Sequence, residues 1–205
     1  MIKNIIFDIG KVLVTFDPVS VFYEKIKNKE QTAMITGHIF GDEIWTKYDA
    51  GLVTMQDMKE YYWKKYPQEY EMILYILDHW TIIMKGIEAS ITYIKLLKKR
   101  GYKIYLLSNI NEESAQYLKK EEAFFDYVDG AILSYQHHVV KPDPKIYHLL
   151  LDTYHLEPTT CVFLDDRKEN IDVARQLHMN GIVFTNPAQA FLELEKLLKR
   201  EETAC

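Results

Sequence analysis

Lys103-Ile104-Tyr105-Leu106-Leu107-Ser108-Asn109 and Cys161-Val162-Phe163-Leu164-Asp165-Asp166 decide the fold of this chain. Each is a short apolar run that stops abruptly at polar residues. Runs of this length, without alternation, are expected of strands buried on both faces of a parallel sheet. The intervening sequence supplies the helices. Residues 87–100 are amphipathic, with Ile91, Ile94 and Leu97 at helical intervals, and Gly101 is placed to stop that helix. Further helices are expected over 112–122, 144–154, 169–177 and 188–199, and further strands over 130–133 and 182–184. Near the N-terminus, residues 3–7 form another apolar run that closes on Asp8 and Gly10, and a second apolar piece, 12–16, ends at Asp17-Pro18. Strands alternating with helices specify an α/β chain: a Rossmann-like parallel sheet core with helices on both faces.

One stretch departs from this rhythm. Across residues 18–80 aromatic and charged residues recur at helical spacing, as in Met58, Tyr61, Tyr62, Lys65 and Tyr66, while Gly37, Gly41, Gly51 and Pro67 divide the stretch into four or five helices. We read it as a helical insertion, so that residues 1–17 and 81–205 form the core and 18–80 a separate α-helical unit.

Composition bounds the function. The chain has 205 residues, 48% of them hydrophobic and 27% charged, near the average for a globular domain. Twenty-five Lys and Arg stand against 30 Asp and Glu, a net charge of −5, so no overall basic field would gather a nucleic acid. No apolar stretch approaches the roughly 20 residues that span a bilayer, and Asp8 breaks the N-terminal apolar run too early for a signal peptide. The two cysteines, Cys161 and Cys205, have no zinc or disulfide spacing. The expectation is a reduced, soluble, cytoplasmic protein, with a small molecule as its partner and no nucleic acid, membrane or protein partner evident.

Three strand ends carry polar residues: Asp8, Ser108-Asn109 and Asp165-Asp166. In open α/β sheets ligands bind beyond the carboxyl ends of the strands, so these signals are expected to converge. Each alone reads equally as a helix cap or an ordinary turn. Carboxylates gathered in one crevice repel, and a hard divalent cation relieves that; two carboxylates with carbonyl and water oxygens suit Mg²⁺ better than zinc. Lys141, in Val139-Val140-Lys141-Pro142-Asp143-Pro144, follows an apolar pair and precedes a helix start. There it reads either as fixed positive charge for an anion or as a solvated surface lysine. The pair His137-His138 is expected on a strand, where alternate side chains face opposite ways and cannot share an ion. We give it no role.

Taken in order, Phe7-Asp8-Ile9-Gly10-Lys11-Val12-Leu13, Leu106-Leu107-Ser108-Asn109, Lys141-Pro142-Asp143-Pro144-Lys145-Ile146-Tyr147 and Phe163-Leu164-Asp165-Asp166-Arg167-Lys168-Glu169-Asn170-Ile171 resemble the four motifs of the haloacid dehalogenase superfamily. The helical stretch resembles the C1 cap of subfamily I. The Asp-x-Gly of the first motif and the Asp-Asp-x-x-x-Asn of the fourth resemble the α-glucose-1-phosphate phosphatase-like branch. The resemblance implies a Mg²⁺-dependent phosphatase of small phosphomonoesters, sugar phosphates foremost, working through an aspartyl-phosphate. It implies Asp8 as nucleophile, with Asp8, the Gly10 carbonyl and Asp166 holding the metal and Asp165 and Asn170 supporting it. Ser108 and Lys141 would grip the phosphoryl group, with Asn109 beside them.

Gly10 departs from the wider family, whose phosphatases carry a proton-transferring Asp there; loss of such a group lowers a rate by roughly 10²–10⁴-fold. Asp17 reads as a substitute, as a group that binds a substrate hydroxyl, or as the cap of the helix that begins near Pro18. Alternative readings are therefore a low-activity binding or regulatory protein, a 2-haloacid dehalogenase, or a phosphomutase. The dehalogenases need no Mg²⁺ and carry an aromatic residue at the position of Gly10, and a mutase needs managed proton transfer. Trp45, Tyr48, Asp49, Tyr61, Tyr62 and Trp63 are candidates to line the closed site, or else the aromatic core of a small bundle.

Overall fold

The computed structural model describes residues 1–202; Cys205 lies outside the described residues. Five strands form one parallel sheet: β1 (Asn4–Phe7), β2 (Lys103–Ser108), β3 (Gly130–Leu133), β4 (Cys161–Asp165) and β5 (Asn180–Val183), in the order β3-β2-β1-β4-β5. β1 is central and in register with both neighbours, Phe7 pairing with Leu106 on one side and Leu164 on the other. The order reverses on either side of β1, and such a switch point opens a crevice at the carboxyl ends of the strands.

Alternate side chains of each strand enter two separate cores. Ile5, Phe7, Ile104, Leu106, Val162 and Leu164 pack on one face beneath α6 (Glu88–Lys99), α7 (Glu112–Glu121) and α11 (Pro187–Glu202). Ile6, Tyr105, Leu107, Cys161 and Phe163 face the other way, onto α9 (Pro144–Thr153) and α10 (Lys168–Gln176). Both faces are covered, so the strands are apolar throughout rather than alternating.

Between β1 and α6 lie α1 (Pro18–Ile26), α2 (Lys29–Phe40), α3 (Glu43–Asp49), α4 (Met55–Lys65), α5 (Tyr70–His79) and a 3-10 turn, Trp80–Ile83. Their boundaries follow from local chemistry. Asp17, Asn28 and Asp42 cap α1, α2 and α3 through their side chains, and Thr54 and Asp57 close a reciprocal capping box on α4. Asp17 accepts from the Ser20 amide at 3.1 Å, so the cap is the job the structure shows for it. A chain of edge-to-face rings, Phe16 to Phe40 to Trp45 to Trp80, ties these helices together.

The apolar piece 12–16 is a turn folded back on Ile9, with the Leu13 and Val14 amides both donating to the Ile9 carbonyl. Two expectations need adjustment. β5 begins two residues earlier than its apolar run, since Asn180 and Gly181 pair through backbone alone with Val162 and Phe163. His137-His138 end a short helix, α8 (Ser134–His137), rather than a strand. His138 takes a left-handed C-cap conformation, and its Nδ1 lies 2.9 Å from the Ala50 carbonyl. Among the described residues no helix is long and apolar enough to cross a membrane.

Candidate active site

The tips of β1, β2 and β4 deliver Asp8, Ser108 and Asp165-Asp166 to one end of the sheet. Asp8 is held by the sheet itself, its amide donating to the Leu164 carbonyl at 2.9 Å. Its Oδ1 accepts three hydrogen bonds: from the Ile9 amide at 2.7 Å, from Ser108 Oγ at 2.7 Å and from Lys141 Nζ at 3.0 Å. Three donors converging on one oxygen fix the orientation of the carboxylate. Lys141 comes from the loop before α9, and its side chain is only 1% exposed. Its Nζ also donates to Asp165 Oδ2 at 2.7 Å. Of its two readings, the solvated surface lysine is excluded.

Asn109 accounts for the position of Lys141. Its Nδ2 donates to the Lys141 carbonyl at 2.9 Å and its Oδ1 accepts from the Lys141 amide at 2.7 Å, a two-point splint between the β2 tip and the Lys141 loop. Asp165 is fully buried and saturated: beside Lys141, it accepts from the Arg167 amide and from Asn170 Nδ2. Asp166 points elsewhere. It is partly exposed, and Lys11 Nζ lies 3.6 Å from its Oδ2. Sequence neighbours thus sit in different settings, one braced inside the protein and one open to the cavity.

Electrostatics describe the same site. Burial pushes the Asp8 carboxyl up to about 6; Lys141 and the Ser108 hydroxyl pull it down, and the Asp165 charge adds to the rise. Burial, then the Asp165 charge, also raises Asp166. Burial works to lower the Lys141 ammonium, but Asp8 and Asp165 overcome it and hold the proton more tightly than usual. One oxygen from each of Asp8, Asp165 and Asp166 lies within 4.8 Å of the others. The cluster carries more negative charge than Lys141 balances, and its donors are hard oxygens. Asn170 Oδ1 is buried with no hydrogen-bond partner, although its Nδ2 is engaged by Asp165. An orphaned acceptor beside crowded carboxylates fits a hydrated hard cation.

These groups open on a cavity of about 390 Å³. Its other wall comes from the helical stretch, the segments that flank it and the cap of α7: Phe16, Phe40, Trp45, Trp80 and Met84 are apolar, and Asp49 and Asn111 are polar. Trp80 Nε1 is buried in this wall without a partner. Of the aromatic candidates named from the sequence, Trp45 and Asp49 line the cavity. Tyr48 is turned to Glu113, with its hydroxyl donating at 2.7 Å. Tyr62 is buried in the helical packing, its hydroxyl donating to the Ile39 carbonyl. Tyr61 donates to Asp42, and Trp63 is 59% exposed. Sequence reasoning missed Asn111, Arg167 and Lys11 as lining residues. Asn111 carries a detectable signal, since Asn111-x-x-Ser114 is the start of a capped helix.

The haloacid dehalogenase-like hydrolase family model matches residues 2–178. D-ribitol-5-phosphate phosphatase of Bacteroides thetaiotaomicron is 27% identical over 208 residues, covering 97% of this chain and 99% of that protein. A sesquiterpene phosphatase of Aspergillus oryzae is 24% identical over 196 residues, 96% of each chain. Among solved structures, a HAD family enzyme from Bacteroides thetaiotaomicron in complex with magnesium and inorganic phosphate superposes with a TM-score of 0.71. At 22% identity, covering 89% of this chain and 94% of that one, it shows a shared fold.

Proposed function

The chain belongs to the haloacid dehalogenase-like hydrolases, and from that premise we propose that it is a Mg²⁺-dependent phosphatase of small phosphomonoesters, sugar and polyol phosphates foremost. One observation carries the reading: Asp8, Ser108, Lys141 and Asp166 share a cavity, and Asp8 is held at fixed orientation by three donors. On this reading residues 18–80 are a C1-type cap over a core of 1–17 and 81–205. The Asp-x-Gly of the first motif and the Asp-Asp-x-x-x-Asn of the fourth support assigning it to the α-glucose-1-phosphate phosphatase-like branch. The relatives named as phosphatases support the activity.

Asp8 supplies the nucleophilic carboxylate. A carboxylate is a weak nucleophile in water, but alignment and desolvation make it effective. Ser108 Oγ and Lys141 Nζ, both already on Asp8, are within reach of any phosphoryl group docked there and donate to its oxygens. Lys141 keeps its proton because two carboxylates flank it, so it acts as fixed charge rather than as an acid. Asp165, Asn109 and Asn170 keep Lys141 and the β4 tip in place. Asp8, Asp166 and the Gly10 carbonyl would hold Mg²⁺, which supplies charge neutralisation for the phosphoryl oxygens. Aromatic rings across the cavity offer flat apolar faces to a small leaving group.

The test is phosphate release from p-nitrophenyl phosphate, α-glucose 1-phosphate and D-ribitol 5-phosphate, with and without Mg²⁺, beside Asp8→Asn. Turnover that needs both Asp8 and the metal is expected. Equal activity of the variant refutes the nucleophile. A second reading, a module that binds phosphate esters without turning them over, rests on Gly10, which has no side chain and where an added Cβ would meet nothing within 4 Å. It predicts tight binding and no release across the same panel.

A further inference from the structure

Expelling an alcohol from phosphorus leaves an oxygen that needs a proton. The structure narrows where that proton comes from. Position 10 offers no side chain. Asp8 is committed to phosphorus and Asp166 to the cation site. Lys141 holds its proton too tightly between Asp8 and Asp165. Arg167 does not give up a proton in a protein. Among the carboxyl groups lining the cavity, Asp49 remains.

We propose that Asp49 is the proton-transfer group of this cavity, protonating the leaving oxygen and then deprotonating the hydrolytic water. The inference rests on the phosphatase reading. Asp49 ends α3 on the helical wall of the cavity that Asp8 opens into. It is held at several points. Asn111 Nδ2 donates to its Oδ1 at 2.9 Å, the Trp45 side chain bonds the carboxyl, and the Ser134 hydroxyl donates to its carbonyl. Asn111 is in turn fixed as the cap of α7, accepting from the Ser114 amide at 2.9 Å and from Ser114 Oγ at 2.8 Å. Burial pushes the carboxyl up to about 7 against the pull of the Asn111 hydrogen bonds, and the charge of Asp8 adds to the rise. Asp8 faces it from the β1 tip; its chain neighbour Tyr48 meets Glu112 and Glu113 at the start of α7, and His138 at the end of α8 meets the carbonyl of its other neighbour, Ala50. A carboxyl with that poise can give and take a proton near neutrality.

The steps balance. An Asp8 oxygen bonds to phosphorus, the ester P–O bond breaks, its electron pair goes to the leaving oxygen, and that oxygen takes the Asp49 proton. Water then bonds to phosphorus and passes a proton to Asp49. The bond from phosphorus to Asp8 breaks, releasing inorganic phosphate and restoring both groups.

Two esters of nearly equal size separate this role from binding or folding. Phenolate, like a tyrosine side chain with a pKa of about 10, needs protonation to leave; p-nitrophenolate is a far weaker base and does not. Asp49→Asn is expected to lower kcat/KM for phenyl phosphate by roughly 10²–10⁴-fold, and for p-nitrophenyl phosphate by under about tenfold. Parallel losses on the two esters, or none on either, overturn the proposal. A wild-type measurement covers a variant too unstable to assay. The ratio of p-nitrophenyl to phenyl phosphate kcat/KM should rise between about pH 6 and about pH 8.5, as Asp49 loses its proton. The ionisations of Asp8 and of the ester phosphate act on both substrates and cancel. A ratio constant with pH overturns the proposal. A wild-type protein that cleaves neither ester overturns the phosphatase reading itself, and the proposal with it.

Discussion

Lys141→Met keeps the length and apolar stem of the side chain and removes one charge. In the native protein that charge lies 3.0 Å from Asp8 and 2.7 Å from Asp165, with the side chain 1% exposed. Removing one partner of a buried ion pair costs about 3–5 kcal/mol, because the charge left behind has lost its compensation. Here two carboxylates are left behind, though Asp165 keeps its bonds from Asn170 and the Arg167 amide. A chain of this size shifts its Tm by about 2–4 °C per kcal/mol, so a fall of roughly 6–20 °C is expected at pH 7 in metal-free buffer. The loss should shrink on acidification. The Asp8 carboxyl is already raised by burial, and without Lys141 it loses the charge that pulls it down. Such a group favours folding below its unfolded pKa and loses that as pH rises through the native one, so the variant recovers toward about pH 4. Thermal unfolding followed by circular dichroism at both pH values reads this. A Tm within about 2 °C of wild type at pH 7 would refute the claim that this cation is desolvated and compensated only by its neighbours.

Mg²⁺ at about a hundred times its Kd should stabilise the wild type by about 2.7 kcal/mol, and Asp166→Asn should abolish that shift in a thermal scan. Burial opposes the ionised Asp129, but Lys98, the Ile104 amide and Lys103 hold its carboxyl below the usual range. Its contribution is present above the unfolded pKa and is lost as pH falls through the lower native one. Asp129→Asn should therefore cost about 1 kcal/mol at pH 7 in urea unfolding, and the difference should vanish in strong acid. Gly130→Ala should cost about 1–3 kcal/mol. Its Cβ would stand 2.3 Å from the Tyr154 ring, which is pinned by hydrogen bonds between its hydroxyl and Ala131. Gly37→Ala, mid-helix and meeting nothing within 4 Å, should instead gain about 0.5–1 kcal/mol.

The strands were legible because a sheet covered on both faces demands uninterrupted apolar runs, and the polar residue ending each run is conspicuous. Asp8, Ser108 and Asp165-Asp166 could be picked out for that reason, and the alternation of elements implied that they meet. Other features have no local signature. That Asn109 would clamp the Lys141 backbone depends on two loops 32 residues apart. That Asp165 would face Lys141 while Asp166 faces the cavity depends on how the chain leaves β4. The cavity's helical wall was harder still. Trp45 and Trp63 look alike in a helical pattern, yet one lines the cavity and the other faces solvent, because helix phase alone does not say which stripe meets a neighbouring domain face. His137-His138 were misplaced because a four-residue helix has too few residues to show a period.

The in-step pairing of Phe7 with Leu106 and Leu164 has a consequence for how this architecture tolerates insertions and deletions. Side chains of a strand alternate between faces, so adding or deleting a single residue in β1 would swap those between the change and the tip to the opposite layer. The acid at its tip would swing away from the hydroxyl and the ammonium that hold it. Loop lengths elsewhere can drift, but the count from Asn4 to the tip of this strand is locked on both flanks at once.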